Sequence, residues 1–146
     1  MKTRTKILML IAAVLLTSTA FAVFTAVTTT IDNRRTSKDY PVWSTTTVFT
    51  IDASDGAAEL TKEVLINGTL KDLSIVVGAA AGITGTVNVD FDDNNDIEFD
   101  SNAALSESTT ATPTIDKVVT NFKIRVDPSD DPTSGSWTIT VNAKGI

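Results

Sequence analysis

The 146-residue chain contains no cysteine and no histidine. Without cysteine, no disulfide can stabilise the fold, which must depend on a hydrophobic core, a metal or assembly with neighbours. Without histidine, the chain lacks the commonest general base and the commonest metal ligand. Aromatic residues are also few: the only tryptophans are Trp43 and Trp137, and both occupy positions typical of core anchors. We therefore expect a protein that is not an enzyme.

Long apolar runs are also missing. The longest covers residues 7–16, ten residues, whereas a membrane-spanning helix needs about 20. Three basic residues precede this run and an Ala-x-Ala site ends at Ala22, which is the pattern of a secretory signal peptide. Residues 1–22 are thus predicted to be a cleaved signal peptide. The alternative is an uncleaved signal-anchor helix that extends to about residue 28, because apolar residues recur that far.

Basic residues are scarce after the predicted cleavage site. Nine Lys and Arg residues then stand against eighteen Asp and Glu, for a net charge of −9. Such a charge disfavours nucleic-acid binding, which needs clustered basic residues. We expect an extracellular or cell-surface protein that contacts a membrane only through an uncleaved N-terminal segment.

The chain does have short runs of alternating apolar and polar residues, separated by turn signals and rich in threonine and valine. We predict an all-β protein, a single antiparallel β-sandwich or jelly roll over residues 43–146. An extended strand and a polar linker over residues 23–42 precede it. About eight strands are expected, with 117–126 as one uninterrupted strand, 101–113 as a long polar loop, and a hairpin turn at Asn67-Gly68. Asn67 also begins a glycosylation acceptor pattern, Asn-Gly-Thr.

One acidic segment carries oxygen ligands at alternate positions: Asp90, Asp92, Asn94 and Asp96. This spacing imitates the start of an EF-hand loop and makes these residues candidate Ca²⁺ ligands. The later part of the pattern fails, since Asn95 replaces the turn glycine and Ser101 replaces the bidentate glutamate. The alternative is a polar hairpin with solvated carboxylates.

The leader followed by the Thr-rich segment 23–32 resembles the β-sandwich subunits of extracellular filaments, and the strand at 135–142 resembles that of small viral coat or decoration proteins. In such filaments the N-terminal segment completes a neighbour's sheet. The resemblance implies a self-associating structural subunit of a filament, coat or surface layer. A secreted or anchored binding or adhesion module, including a virion surface protein, is the alternative. For segment 23–32, exchange, internal pairing and a membrane-proximal stalk all remain open.

Overall fold

The computed structural model describes residues 26–32, 43–53 and 57–146. The predicted leader and most of the predicted linker lie outside these residues. The described chain is all-β and forms two antiparallel sheets that pack as a sandwich, which confirms the predicted fold class.

Ten strands of the described residues make up the two sheets. The six-stranded sheet runs in the order β1 (Ala26–Asp32), β2 (Trp43–Asp52), β10 (Ser136–Gly145) and β4 (Gly68–Val77), with β7 (Thr110–Ala111) and β8 (Thr114–Val119) both paired to β4. The four-stranded sheet runs in the order β3 (Leu60–Val64), β9 (Phe122–Pro128), β5 (Val87–Asp93) and β6 (Glu98–Leu105). Every pair of strands is antiparallel.

The core lies between the two sheets and follows the alternation in the sequence. In β2, every second residue from Trp43 to Ile51 is buried, as predicted. The same pattern buries Phe91, Phe122 and Trp137 on three other strands. Each large apolar side chain that is buried in this way stabilises the fold by about 1.5–3 kcal/mol, so a cysteine-free chain of this length can fold on its core.

The prediction of one strand over residues 117–126 is wrong. The segment is divided at Thr120 and Asn121 into β8 and β9, which belong to different sheets. The alternation changes phase at this crossing: Val118 is 74% exposed, whereas Val119 is buried. Because β8 and β9 approach the core from opposite sheets, one alternation need not continue through the crossing, and here the buried positions change from odd to even residue numbers.

The predicted hairpin at Asn67-Gly68 is also wrong, because β3 and β4 lie in different sheets. Gly68 serves a different purpose. A Cβ atom there would lie 2.5 Å from the Ile146 carbonyl oxygen and 2.9 Å from Trp43 Nε1. The glycine lets the end of β10 approach β4, where Thr69 and Ile146 exchange two backbone hydrogen bonds of 2.6 and 3.0 Å.

The predicted loop over residues 101–113 is replaced by most of β6 and all of β7. The burial of β6 explains why it was not predicted from the sequence. It is an edge strand with only partly buried or exposed residues, so it lacks the apolar alternation that a strand prediction needs.

The sandwich has two distinct ends. We call them the Trp43 end and the Asp52 end, after the two limits of β2. β1 begins at the Asp52 end, since Ala26 lies opposite Thr50. Four of the exposed large apolar residues belong to segments at the Trp43 end: Leu65, Ile97, Val118 and Ile146.

Candidate functional site

The predicted acidic residues lie on or beside the outer face of the four-stranded sheet. Asp90 and Asp92 are on β5, where they lie opposite Arg125 and Lys123 of β9. Asn94 and Asp96 are in the exposed turn that joins β5 to β6. The acids were predicted from the sequence but the two cations were not, although both occupy outward positions of the predicted strand 117–126.

Arg125 is at the centre of this face. Its Nε atom lies 2.7 Å from Asp92 Oδ2, and its Nη2 atom donates to Asp92 Oδ1 and to Glu98 Oε2, each at 3.2 Å. Asp90 and Glu59 lie farther away, at 3.7 and 3.8 Å. The hydrogen bond to Asp92, strengthened by the surrounding carboxylates, raises the pKa of Arg125 although partial burial opposes it. The guanidinium therefore neutralises the buried Asp92.

Lys123, also on β9, makes a second ion pair, with Asp96 of the turn between β5 and β6. Its amino group contacts the Asp96 carboxylate, and this hydrogen bond raises the pKa of Lys123. Arg125 and Lys123 help to line a depression of about 430 Å³ together with Glu59, Thr61, Asp92, Asp96 and Glu98. Acidic side chains outnumber basic ones in this depression, so its potential is negative.

The four candidate calcium ligands do not share one centre. Asp90 accepts a hydrogen bond from Ser101 Oγ at 2.7 Å, Asp92 contacts Arg125, and Asp96 contacts Lys123. Among residues 26–32, 43–53 and 57–146, no group of three or more acidic side chains is arranged to hold a metal ion. Calcium binding stays a prediction, and the melting temperature in millimolar Ca²⁺ against chelator would test it.

Asp93 organises the turn between β5 and β6, a role that the sequence analysis did not assign. Its Oδ1 atom accepts the backbone N–H of Asn95 at 2.9 Å and of Ile97 at 3.1 Å. These two bonds lower the pKa of Asp93, and Lys117 adds a smaller effect in the same direction. An aspartate that begins a short polar turn is a recognisable signal for this bonding pattern, and the sequence contained it.

The edges of the four-stranded sheet carry features that discourage pairing with another strand. On β3, Lys62 lies opposite the buried Ile124 and so places a charge at a core-facing position. On β6, the register shifts so that Ala103 and Ala104 lie opposite Asn88 alone. Ala104 has φ 55°, and its N–H donates to Asn88 Oδ1 at 2.9 Å. Inward-pointing charges and bulges are two of the means by which proteins protect edge strands.

The two edges of the six-stranded sheet differ from each other. One edge is shared by the two-residue β7 and by β8, whose pairing with β4 is irregular between Leu70 and Asp72. The other edge is β1, which pairs with β2 in continuous register over all seven residues. Asp32, at its end, is the only charged residue of β1, and the strand contains no glycine or proline. β1 is thus the most regular of the four edges.

The outer face of the six-stranded sheet also contains a depression, of about 350 Å³. It crosses β2, β10 and β4 at the Trp43 end. The outward-facing side chains are small or polar, and Thr46 Oγ1 donates to Asn142 Oδ1 at 2.9 Å. The set comprises Ser44, Thr46, Asp72, Ser74, Asn142 and Lys144. Hydroxyl and amide groups of this kind can form hydrogen bonds with a polar ligand.

Within the residues that the structure describes, no helix is long and apolar enough to cross a membrane.

Comparison with known proteins gives structural resemblances only. No protein-family model matches the chain, and no curated protein matches it. The Yersinia pseudotuberculosis-derived mitogen has a TM-score of 0.42 and 8% identity, with 84% of this chain and 88% of the mitogen covered. The Drosophila NLP-core, described for its pentamer formation and histone binding, gives 0.40 and 16%, with 69% and 97% covered. A carbohydrate-binding module of Cellvibrio mixtus lichenase 5A, in complex with cellotriose, gives 0.35 and 10%, with 81% and 86% covered. At these TM-scores and identities we draw no functional conclusion from the resemblances.

Proposed function

We propose that this protein is an exported, non-enzymatic structural protein of a cell or particle surface, and that its copies assemble by exchanging β1. The observation that carries the proposal is the position of β1. Among the described residues it is the N-terminal strand. It forms the edge of a sheet, and its hydrogen-bonded neighbour is β2. A strand with one neighbour at an edge can be supplied by another subunit at little cost to the rest of the fold.

The link between β1 and β2 is long enough for exchange. Residues 33–42, ten in number, separate Asp32 from Trp43, and a chain of this length reaches at most about 33–36 Å when extended. That distance is comparable to the width of a small domain. If each copy gives β1 to the next and receives one from the previous copy, the contact is heterologous, and it builds a filament unless the rotation between copies closes it into a ring.

Exchange can be tested with an engineered disulfide, because the chain has no cysteine of its own. Thr28 and Val48 are opposite each other in the register of β1 and β2, and opposite residues in antiparallel strands are close enough for a disulfide. We expect the T28C/V48C variant, assembled under reducing conditions and then oxidised, to give a ladder of covalent oligomers on a non-reducing gel.

The single variant T28C is the matched control. With one thiol per chain it can form a covalent dimer at most, never a ladder. If oxidised T28C/V48C runs only as a monomer with a closed internal disulfide, even at the highest attainable protein concentration, β1 pairs within its own chain and exchange is wrong.

A binding or adhesion module is the second candidate. The polar depression across β2, β10 and β4 supports it, because its hydroxyl and amide groups suit a polar ligand such as a glycan. None of its lining residues is aromatic, so a sugar ring would have no stacking surface there. Electron microscopy of the purified protein separates the two functions: discrete particles at high concentration favour the binding module, whereas filaments or sheets favour the structural subunit.

A further inference from the structure

The edge of β1 that faces away from β2 is a second interaction surface of the same strand. Within the part of the chain that the structure describes, no strand pairs with this edge, and this holds whether β2 belongs to the same chain or to a neighbour. The other three edges of the sandwich carry an inward-pointing lysine, a bulge, or a short and irregular pairing. β1 has continuous register instead, and Thr30 at its outer side is exposed.

We propose that this free edge pairs antiparallel with β1 of a second copy, in a register centred on Thr29. The N–H and C=O groups that point away from β2 belong to every second residue of β1. Two copies of β1 can therefore form hydrogen bonds along this edge only if the symmetry centre of the pairing falls on a residue and not between two residues. Of the possible centres, Thr29 is the middle of the seven-residue strand and is therefore the one that pairs every residue. The result is a six-stranded sheet continued into the sheet of the partner copy.

The sequence of β1 is complementary to itself in this register. Val27 meets Ile31 of the partner subunit, which forms two apolar cross-strand pairs in the symmetric dimer. Thr28 meets the partner's Thr30, and threonine pairs are favourable across strands. Asp32, the one charged residue, meets the partner's Ala26 rather than another carboxylate. Like charges directly opposite each other would destabilise the pair, and this register avoids them.

The position of the strand in the sheet suits the same arrangement. Val27 and Ile31 lie opposite the buried Phe49 and Thr45 of β2. Residues opposite one another share a face of a sheet, so this register places the partner's Ile31 and Val27 on the same face as Phe49 and Thr45. A contact of one strand pair is small for a stable complex, so we expect dimers at high micromolar protein concentration rather than at nanomolar concentration.

Single-cysteine variants test the register of the proposed pairing between two β1 strands directly. In the full chain expressed with its own leader, we expect T29C to form a disulfide-linked dimer on mild oxidation. Neither T28C nor T30C should cross-link alone, but an equimolar mixture of the two should give the mixed dimer, identified by mass spectrometry. Self-linking at position 29, combined with mixed linking of positions 28 and 30, is specific to a centre at residue 29.

The outcomes are separate from those of the exchange test. Exchange joins positions 28 and 48 of different copies into ladders, whereas edge pairing joins position 29 to itself in dimers. The edge proposal is overturned if wild-type protein sediments as a monomer at millimolar concentration, or if the mixture of T28C and T30C gives no mixed dimer under conditions where the wild type dimerises.

A charge swap gives a second test that needs no cross-link. In T28K/T30K each lysine meets a lysine of the partner subunit, whereas in T28K/T30E each lysine meets a glutamate. The two variants change the same positions, so they are matched for effects on β1 itself. We expect the dimer dissociation constant of T28K/T30K to be about tenfold higher than that of T28K/T30E at low salt. Equal constants contradict the proposal.

Discussion

Arg125 shows how strongly one side chain can depend on a single neighbour. It is about one-third exposed, yet it is the cation nearest to the buried carboxylate of Asp92, with Nε at 2.7 Å. Removing one partner of a buried ion pair leaves a charge without compensation, which costs about 3–5 kcal/mol when both groups are fully buried. Since Arg125 is partly solvated, water can replace part of its effect.

We therefore expect Arg125→Met, which keeps most of the aliphatic stem, to lower the free energy of unfolding by about 2 kcal/mol. Urea denaturation followed by tryptophan fluorescence measures it. Lys71→Met is the matched control, because the Lys71–Asp116 pair has a similar distance of 2.7 Å but is solvent-exposed. Exposed pairs contribute about 0–1 kcal/mol. Equal losses in the two variants would contradict the role given to Arg125.

Asp93 connects the stability of a turn to pH. Its pKa in the folded protein lies below the ordinary value of 3.8, because it accepts the backbone N–H groups of Asn95 and Ile97. A carboxyl group with a lowered pKa stabilises the folded state above its unfolded pKa. That contribution is lost as the pH falls through the folded pKa.

We expect acid titration below about pH 4 to destabilise the wild type more than Asp93→Asn. The amide oxygen of asparagine can still accept both N–H groups, so this variant keeps the turn and loses only the titration. Thermal melts at pH 7 and at successively lower pH values measure the difference. Parallel pH profiles for the two proteins would show that other carboxyl groups account for the acid sensitivity.

At the scale of elements, the crossing from β8 to β9 determines which of two adjacent valines belongs to the core. Val119 is buried and ends β8, whereas Val118 is exposed. We expect Val119→Ala to lower the unfolding free energy by about 2 kcal/mol, because it removes two buried methyl groups and leaves a cavity. Val118→Ala should change it by less than about 0.5 kcal/mol. Urea denaturation curves of both variants test this. The uninterrupted strand expected from the sequence predicts the opposite order.

These two valines also show where sequence-based reasoning succeeds and fails. Within β2, β5 and β10 the alternation alone identified the buried residues, because a strand in a two-layer sandwich has one wet face and one dry face. It could not reveal that 117–126 crosses between sheets, since both halves alternate and only the phase changes. For β6, the apolar alternation ends at Phe99, so the rest of the strand could not be recognised from the sequence.

Prediction of the acidic site from the sequence is limited in the same way. Spacing along the chain identified Asp90 and Asp92 as alternate members of one acidic segment, and the structure places both on β5. The cations opposite them come from β9, more than thirty residues away in the chain, and the pairing of β5 with β9 is a property of topology. A ligand pattern read along one segment cannot reveal which charges another strand brings to it.

At the scale of the whole molecule, the two ends of the sandwich differ. β1 begins at the Asp52 end, whereas Leu65, Ile97, Val118 and Ile146 are exposed at the Trp43 end. If the N-terminal segment stays in a membrane, the sandwich is attached through its Asp52 end and the apolar residues point away from the bilayer. If it is cleaved, no membrane anchor fixes either end, and the proposed assembly would depend on β1 alone.

The central place of β10 determines when the fold can form. β10 follows all nine other strands along the chain, yet it lies between β2 and β4 and pairs with both. The larger sheet cannot close before these last residues have been synthesised, and contacts between distant segments form slowly. Until then β2 and β4 lack the strand that lies between them, and the larger sheet stays open. If the predicted leader directs the chain into a narrow export channel, a chain with an open sheet can still be threaded through it, and folding then follows passage.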